Sequence, residues 1–410
     1  MGPLTSLVKT SAESTATIGM PNLPERILIR VLKKIRVGQL TVELPLAGRQ
    51  TFGEVGTNPC AIIRIRNART IFRVLFDGGI GLAEGYLRGE WDTPDLTAFL
   101  ALGAQNADAL TDTLSTSWIS TLINRTIHSL RANTHSGSRK NIAAHYDLGN
   151  NFYRLWLDEG MTYSSALFSD LGEDIAVAQR RKYLRIIETL DIRPGDRVLE
   201  IGCGWGGFAE IAAAEFGCKV VGLTLSVEQA RFARKRIADA GLTESVDIRL
   251  EDYRDVQGKF DKIVSIEMFE AVGEDNWSKY FEALRRCLKD GGRAALQFIT
   301  IANEKFGHYR RNPDFIQRYI FPGGMLPSPR AVEHSIDEAG FKMTSAFYFG
   351  KSYAETLRRW ASDFDKRWPE IEALGFDARF RRMWRYYLRY CEVGFDTHQT
   401  DVGQFVIERI

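Results

Sequence analysis

Between a short apolar run and a helical one, the chain carries Glu200-Ile-Gly-Cys-Gly-Trp-Gly-Gly207. Four glycines in six positions let a backbone turn sharply and let a ligand approach where a Cβ would clash. The amides that open the following helix can then face a polar or anionic group. Gly202, Gly204 and Gly207 satisfy the dinucleotide spacing G-x-G-x-x-G. A dinucleotide site also requires an acid about 20 residues further on, at the end of the next strand. That place reads Gly222-Leu-Thr-Leu-Ser226 and has none, so the loop points to a different nucleoside ligand.

The elements that must position this loop alternate. Asp196–Glu200, Lys219–Leu223, Val246–Leu250, 260–266 and 293–300 read as strands, and 208–216, 226–240 and 277–289 as helices. Such alternation argues for a parallel, doubly wound sheet. Residues 141–190 read as helix-rich. Upstream, 1–24 reads as a loose leader without a signal-type apolar run. Residues 25–97 mix strands at Leu40–Leu44 and Ala61–Ile65 with turn residues, the glycine-rich stretch 76–86 lies within this region, and a helix is expected over 96–132. The polar, breaker-rich Arg131-Ala-Asn-Thr-His-Ser-Gly-Ser-Arg-Lys140 reads as a linker. The expected organisation is therefore an accessory domain over 1–130, a linker over 131–140 and a catalytic domain over 141–410.

Composition narrows the setting. The net charge of +2 says little, but residues 1–140 hold 16 Lys/Arg against 11 Asp/Glu, a local excess of +5. This suits an anionic surface or simply a solvated face. Five scattered cysteines with no C-x-x-C pair argue against a metal site or a disulfide framework and for a reducing cytoplasm. No window approaches 18 consecutive apolar residues, so any membrane contact is expected at the surface. Arg26-Ile-Leu-Ile-Arg-Val-Leu-Lys-Lys-Ile-Arg36 places 27, 28, 31, 32 and 35 on one helical face, with basic residues opposite. That pattern fits an anionic bilayer surface or packing on the domain's own core. The basic aromatic segment 379–390 reads as a second amphipathic helix, covering a channel, meeting lipid or simply packed.

Glu200, Gly202, Gly204 and Gly206 also match the acidic-x-Gly-x-Gly-x-Gly loop of S-adenosylmethionine methyltransferases. Together with Tyr146-Asp-Leu-Gly-Asn-Asn-Phe152, Met161-Thr-Tyr-Ser-Ser165, Gly222-Leu-Thr-Leu-Ser-Val-Glu-Gln229, Met268-Phe-Glu270, Tyr319-Ile-Phe-Pro-Gly-Gly324, Leu326-Pro-Ser328, Tyr353 and Thr356-Leu357, the chain resembles the cyclopropane-fatty-acyl-phospholipid synthases and mycolic acid methyltransferases. The resemblance runs in order over 141–410. It is loose over 1–130, where bacterial synthases carry a lipid-binding domain.

It implies an α/β fold: a Rossmann-like class I S-adenosylmethionine methyltransferase domain with a smaller N-terminal α+β domain. It implies methyl transfer to the cis double bond of a phospholipid acyl chain, giving a cyclopropane, methyl or methylene product. The alkene is the nucleophile, so the protein must supply proximity, a dry pocket, cation stabilisation and a base. Cofactor contacts are expected from Tyr163, Ser164, Gly202, Gly204, Thr224, Leu225, Gln229, Asp252 and Tyr253. The family's base is a bicarbonate held by Cys, Glu, His, Tyr and an Ile backbone. Those positions are Ser165, Glu270, Gln297, Tyr353 and Ile299 here, so the Cys and His are both replaced. Ser165 and Gln297 can donate hydrogen bonds to an anion but cannot carry a proton as His does. This favours Glu270 as the carboxylate that acts after methyl transfer and leaves bicarbonate doubtful. The expected setting is peripheral, at a membrane's inner face, with no nucleic-acid partner; a homodimer stays open. Rival readings are a small-molecule methyltransferase and a lipid-binding protein that keeps the fold without the chemistry.

Overall fold

The computed structural model describes residues 20–111 and 148–410. Its larger sheet has seven strands: β5 (Arg197–Ile201), β6 (Lys219–Thr224), β7 (Val246–Leu250), β8 (Phe260–Ile266), β9 (Leu288–Ile301), β10 (Phe341–Tyr348) and β11 (Thr400–Arg409). Their order is β10-β11-β9-β8-β5-β6-β7, parallel from β7 to β9 and antiparallel over β9, β11 and β10. Val198, Leu199 and Ile201 of β5 are buried, as expected of a strand covered on both faces. The chain leaves β5 for β6 on one side while β8 returns on the other. The carboxyl end of β5 is thus the switch point where doubly wound sheets bind ligands.

A second sheet, ordered β2-β1-β3-β4, is built from β1 (Gln39–Leu44), β2 (Gly48–Gly53), β3 (Cys60–Ile65) and β4 (Trp91–Asp92). Helices α1 (Leu23–Leu32), α2 (Arg69–Leu87) and α3 (Leu96–Gln105) accompany it. The longer helices that follow in the chain are α4 (Ile175–Leu190), α5 (Gly207–Phe216), α6 (Val227–Asp239), α7 (Trp277–Cys287), α8 (Asn303–Arg311), α9 (Pro329–Glu338), α10 (Gly350–Lys366) and α11 (Ala378–Asp396). Side-chain caps set several starts: Asn22 on Glu25 N–H, Asp174 on Ala176 N–H, Ser226 on Gln229 N–H and Asp377 on Phe380 N–H.

Several sequence expectations change. The glycine-rich stretch 76–86, left unassigned by the sequence, forms the second half of α2, broken only at Gly78 (φ 53°, ψ −128°). Buried Ile71, Ile80, Ala83, Tyr86 and Leu87 hold it against the core, so packing overrides glycine's poor propensity. Residues 141–190 hold less helix than expected: among the described residues, only Asn150–Tyr153 and α4. The strand expected at 293 begins at Leu288, directly after α7. The amphipathic helix over 26–36 is α1, and it ends at Leu32 with Lys33 as its cap. Its Leu28, Val31 and Ile35 side are buried on the core. The helix expected over 96–132 is described as α3 and Ala107–Thr111; its remainder and the linker 131–140 lie outside the described residues.

The two sheets are joined by polar contacts. Arg382 of α11 donates to the backbone carbonyls of Tyr86 and Trp91. Tyr319 Oη donates to Glu84 Oε1 at 2.6 Å, and Arg318 pairs with the same carboxylate at 3.1 Å. No helix among the described residues is long and apolar enough to cross a membrane.

Candidate active site

A single cavity of about 1130 Å³ runs from the loop after β5 to the second sheet. At one end its wall includes Gly202, Gly204, Thr224, Gln229 and Asp252, and at the other Leu40, Val42, Ile63 and Ile65. Tyr386, Tyr387 and Tyr390 of α11 also line it, so the basic aromatic helix 379–390 covers a channel.

The glycine loop forms as its sequence demands. Gly202, Gly204 and Gly206 take φ of 84°, 51° and 83°, a region that L side chains rarely adopt. A Cβ on Gly202 would come within 2.9 Å of Met268, whereas one on Gly204 would enter open space. Glu200 Oε2 is buried without a hydrogen-bond partner. Burial pushes the Glu200 carboxyl up to about 8, opposed by Lys182. An open glycine cradle beside an orphaned buried carboxyl fits a ligand carrying donors or positive charge, as S-adenosylmethionine does.

All nine residues expected to contact the cofactor line the cavity. Thr224 Oγ1 donates to Gln229 Oε1 at 2.8 Å, which orients the glutamine amide. Lys182 Nζ donates to Ser164 Oγ at 2.6 Å, and the Tyr163 and Tyr387 hydroxyls are 2.7 Å apart. The Asp252 carboxylate is engaged by Arg254 from both oxygens. Tyr253 packs edge-on against Tyr280, and Leu225 stands on the wall near them.

The expected anion site divides in two. Glu270, Ile299 and Tyr353 line the cavity, whereas Ser165 and Gln297 are buried and absent from its wall. The donors of Ser165, Gln297 and Tyr353 converge on a residue the sequence reading passed over, Glu267. Its Oε1 accepts from Ser165 N–H and from Gln297 Nε2, both at 2.8 Å, and its Oε2 accepts from Tyr353 Oη at 2.6 Å. Glu267 itself lines the cavity. It has φ 50°, a costly setting for a side chain of this size. The Ser165 hydroxyl turns away to the Ala166 carbonyl. Glu270 takes a different partner: its Oε1 accepts from Ile299 N–H at 2.7 Å, and its Oε2 is buried without one.

Electrostatics separates the two carboxyls. Burial raises Glu267 above the usual carboxyl range, but the Tyr353 hydroxyl, Lys182, Ser165 N–H and Gln297 all oppose the rise. Burial and the neighbouring Glu267 charge push Glu270 up to about 8, opposed mainly by Ile299 N–H. Fully buried Lys182 is pushed down to about 7 by desolvation, against Glu267, Asp158 and Glu200. Two carboxyls in one dry site avoid double ionisation. The rise of Glu267 is opposed by four groups, whereas that of Glu270 is opposed mainly by one backbone N–H.

A signal for Glu267 was present in the sequence. It follows the fourth strand directly, at the ligand-binding edge of the sheet, and the family's Cys and His are lost together. Two departures in one site call for a compensating group.

Comparison with known proteins identifies the family. Residues 133–405 match the family model for mycolic acid cyclopropane synthetase. The chain is 42% identical over 340 residues to the tuberculostearic acid methyltransferase of Mycobacterium tuberculosis, covering 81% of this chain and 79% of that protein. It is 38% identical over 358 residues to the cyclopropane-fatty-acyl-phospholipid synthase of Escherichia coli K12, covering 85% and 88%. The crystal structure of a mycolic acid cyclopropane synthase complexed with SAH and CTAB superposes with a TM-score of 0.63 at 32% identity, covering 66% of this chain and 98% of that one. With a glycine cradle at the switch point and the family's motifs in order along a shared fold, this chain belongs to the mycolic acid cyclopropane synthetase family and is an S-adenosylmethionine-dependent methyltransferase.

Proposed function

We propose that this chain methylates the cis double bond of an unsaturated phospholipid acyl chain, and that Glu267 receives the proton released. The observation that carries this reading is the Glu267 carboxylate on the cavity wall, held by Ser165, Gln297 and Tyr353. These are the donors the family resemblance assigns to a bound bicarbonate. A carboxylate of the protein takes that place, so no free anion is required.

When bound, the cofactor supplies an electrophilic methyl group. Gly204 leaves room for it, Gln229 is oriented for its hydroxyls, and the orphaned Glu200 oxygen offers an acceptor. The apolar arm toward Val42 and Ile63 excludes water and takes the acyl chain. The cavity exceeds the range usual for one small ligand, which supports two occupants.

As the alkene bonded to the methyl carbon, the sulfur–methyl bond would break, the neutral thioether would leave, and the alkene's other carbon would become cationic. The aromatic wall and the charged Glu267 stabilise that charge. A hydride from the methylated carbon then moves to its neighbour. The new methyl loses a proton to Glu267, and that C–H pair becomes an exocyclic double bond. Closure of the same pair onto the unshifted cation would give a cyclopropane instead. The branched product is favoured by the replacements at Ser165 and Gln297, together with the methyltransferase name of the relative matched at 42% identity.

Peripheral docking on an anionic bilayer, from a reducing cytoplasm, completes the reading. It is supported by exposed Arg26, Arg30 and Lys33 beside exposed Leu23 and Ile27 on α1, and by five free cysteines.

The test is to incubate the purified protein with S-adenosylmethionine and vesicles of a monounsaturated phospholipid. Mass spectrometry should show the acyl chain gaining one CH₂, and proton NMR should show exomethylene hydrogens. Cyclopropane resonances would overturn the branched product, and no acyl mass gain would overturn the substrate class in favour of a small-molecule methyltransferase.

A further inference from the structure

Gln404 lies on β11, opposite Gln297 in the β11–β9 register, and both side chains are buried. Gln404 Nε2 donates to the Lys182 carbonyl at 3.3 Å and to Gln297 Oε1 at 3.1 Å. Gln297 Nε2 in turn donates to Glu267 Oε1 at 2.8 Å. Three side chains from neighbouring strands thus form one directed chain of hydrogen bonds.

The direction is fixed at its far end. A backbone carbonyl can only accept, so Gln404 must turn its NH₂ toward Lys182. The second hydrogen of that NH₂ then meets Gln297, which must answer with its oxygen. This leaves the Gln297 NH₂ facing Glu267. Reversing either amide would set oxygen against oxygen in a dry interior. The arrangement leaves Gln404 Oε1 buried without a partner, a cost that local stability alone does not explain.

We infer that Gln404 is a positioning residue: it passes the polarity of the Lys182 carbonyl through Gln297, so that the site always presents a donor to Glu267. The inference rests on the reading of Glu267 as the proton acceptor. Gln404 touches neither the cavity wall nor the reacting atoms; it acts only through Gln297. Without it the Gln297 amide is free to rotate, and when its oxygen faces Glu267 the carboxylate loses a donor and gains a repulsive neighbour. Glu267 then binds a proton more readily, and its charged form is confined to higher pH.

The experiment compares the parent with Gln404→Met, which keeps length and removes both donors, and with Gln404→Glu, which keeps shape. Both are measured on vesicles of a monounsaturated phospholipid with S-adenosylmethionine. Both should bind S-adenosylmethionine as the parent does. Turnover near neutral pH should fall about tenfold, with the acid limb of the pH–rate profile moved up by about one pH unit and much of the rate regained in alkali. Glu267 is followed separately by NMR of ¹³C-carboxyl-labelled glutamate, its signal assigned by its loss in Glu267→Gln. An upward shift of that titration in either folded variant supports the inference. An unshifted Glu267 titration overturns it, whatever happens to the rate. A shifted titration with an unmoved rate profile leaves the positioning intact and instead removes Glu267 as the base.

Discussion

Glu267 Oε2 and Tyr353 Oη stand 2.6 Å apart, although 86 positions separate them in the chain. The contact joins the end of β8 to the first turn of α10 across the cavity that the glycine loop opens. It fixes a buried glutamate with a left-handed backbone on the cavity wall.

Glu267→Gln tests that role directly. The amide keeps the volume but cannot take a proton. Turnover should fall about 100-fold or more, the scale of a lost acid–base group, with binding of S-adenosylmethionine retained in calorimetry. A variant with near-parental turnover would take Glu267 out of the mechanism. Added bicarbonate should leave the parent rate unchanged.

Glu270→Gln should act on stability more than the resemblance implies. The Glu270 carboxyl is raised to about 8 in the fold from an ordinary 4.5. The folded chain therefore holds a proton that the unfolded chain has released between those values. The stability this contributes is present below about 4.5 and is lost as pH rises toward 8. Chemical denaturation at pH 5 and pH 8 should show the parent losing about 1–3 kcal/mol more than Glu270→Gln over that interval. Glu200 imposes the same sign of slope on both proteins, so the difference isolates Glu270. Parallel slopes would contradict the assignment of the proton to Glu270.

Gly204→Val should abolish binding of S-adenosylmethionine in a protein that still folds. Among the described residues no atom lies within 4 Å of a Cβ at Gly204, so a branched side chain there is expected to displace ligand. The backbone there is also left-handed, which adds strain and calls for a circular-dichroism check of folding. Unchanged affinity in calorimetry would mean that the cofactor lies elsewhere.

Replacing Arg26, Arg30 and Lys33 by Ala should weaken binding to anionic vesicles at low salt while leaving cofactor affinity alone. Each basic group near an anionic bilayer contributes about 1 kcal/mol, and about 0.1 M salt screens that attraction beyond roughly 10 Å. Sedimentation with vesicles at two ionic strengths reads the effect. Equal binding by both proteins would assign α1 to internal packing alone.

The sequence alone determined what is local in this protein. The loop Glu200–Gly207 is legible because a strand, a left-handed glycine turn and a helix are encoded by adjacent residues. The alternation of apolar runs was enough for the doubly wound sheet. Gly78 to Gly85 sit in a helix that their residue types do not announce, because apolar packing around α2 outweighs glycine's local preference. The proton-accepting group is a different kind of property. A carboxyl's charge depends on the donors around it, and those of Glu267 come from positions 165, 297 and 353. Glu270, three residues away, meets one backbone N–H and a neighbouring charge, and is pushed up to about 8. Only the tertiary structure separates the two, because desolvation and hydrogen bonding act through space and not along the chain.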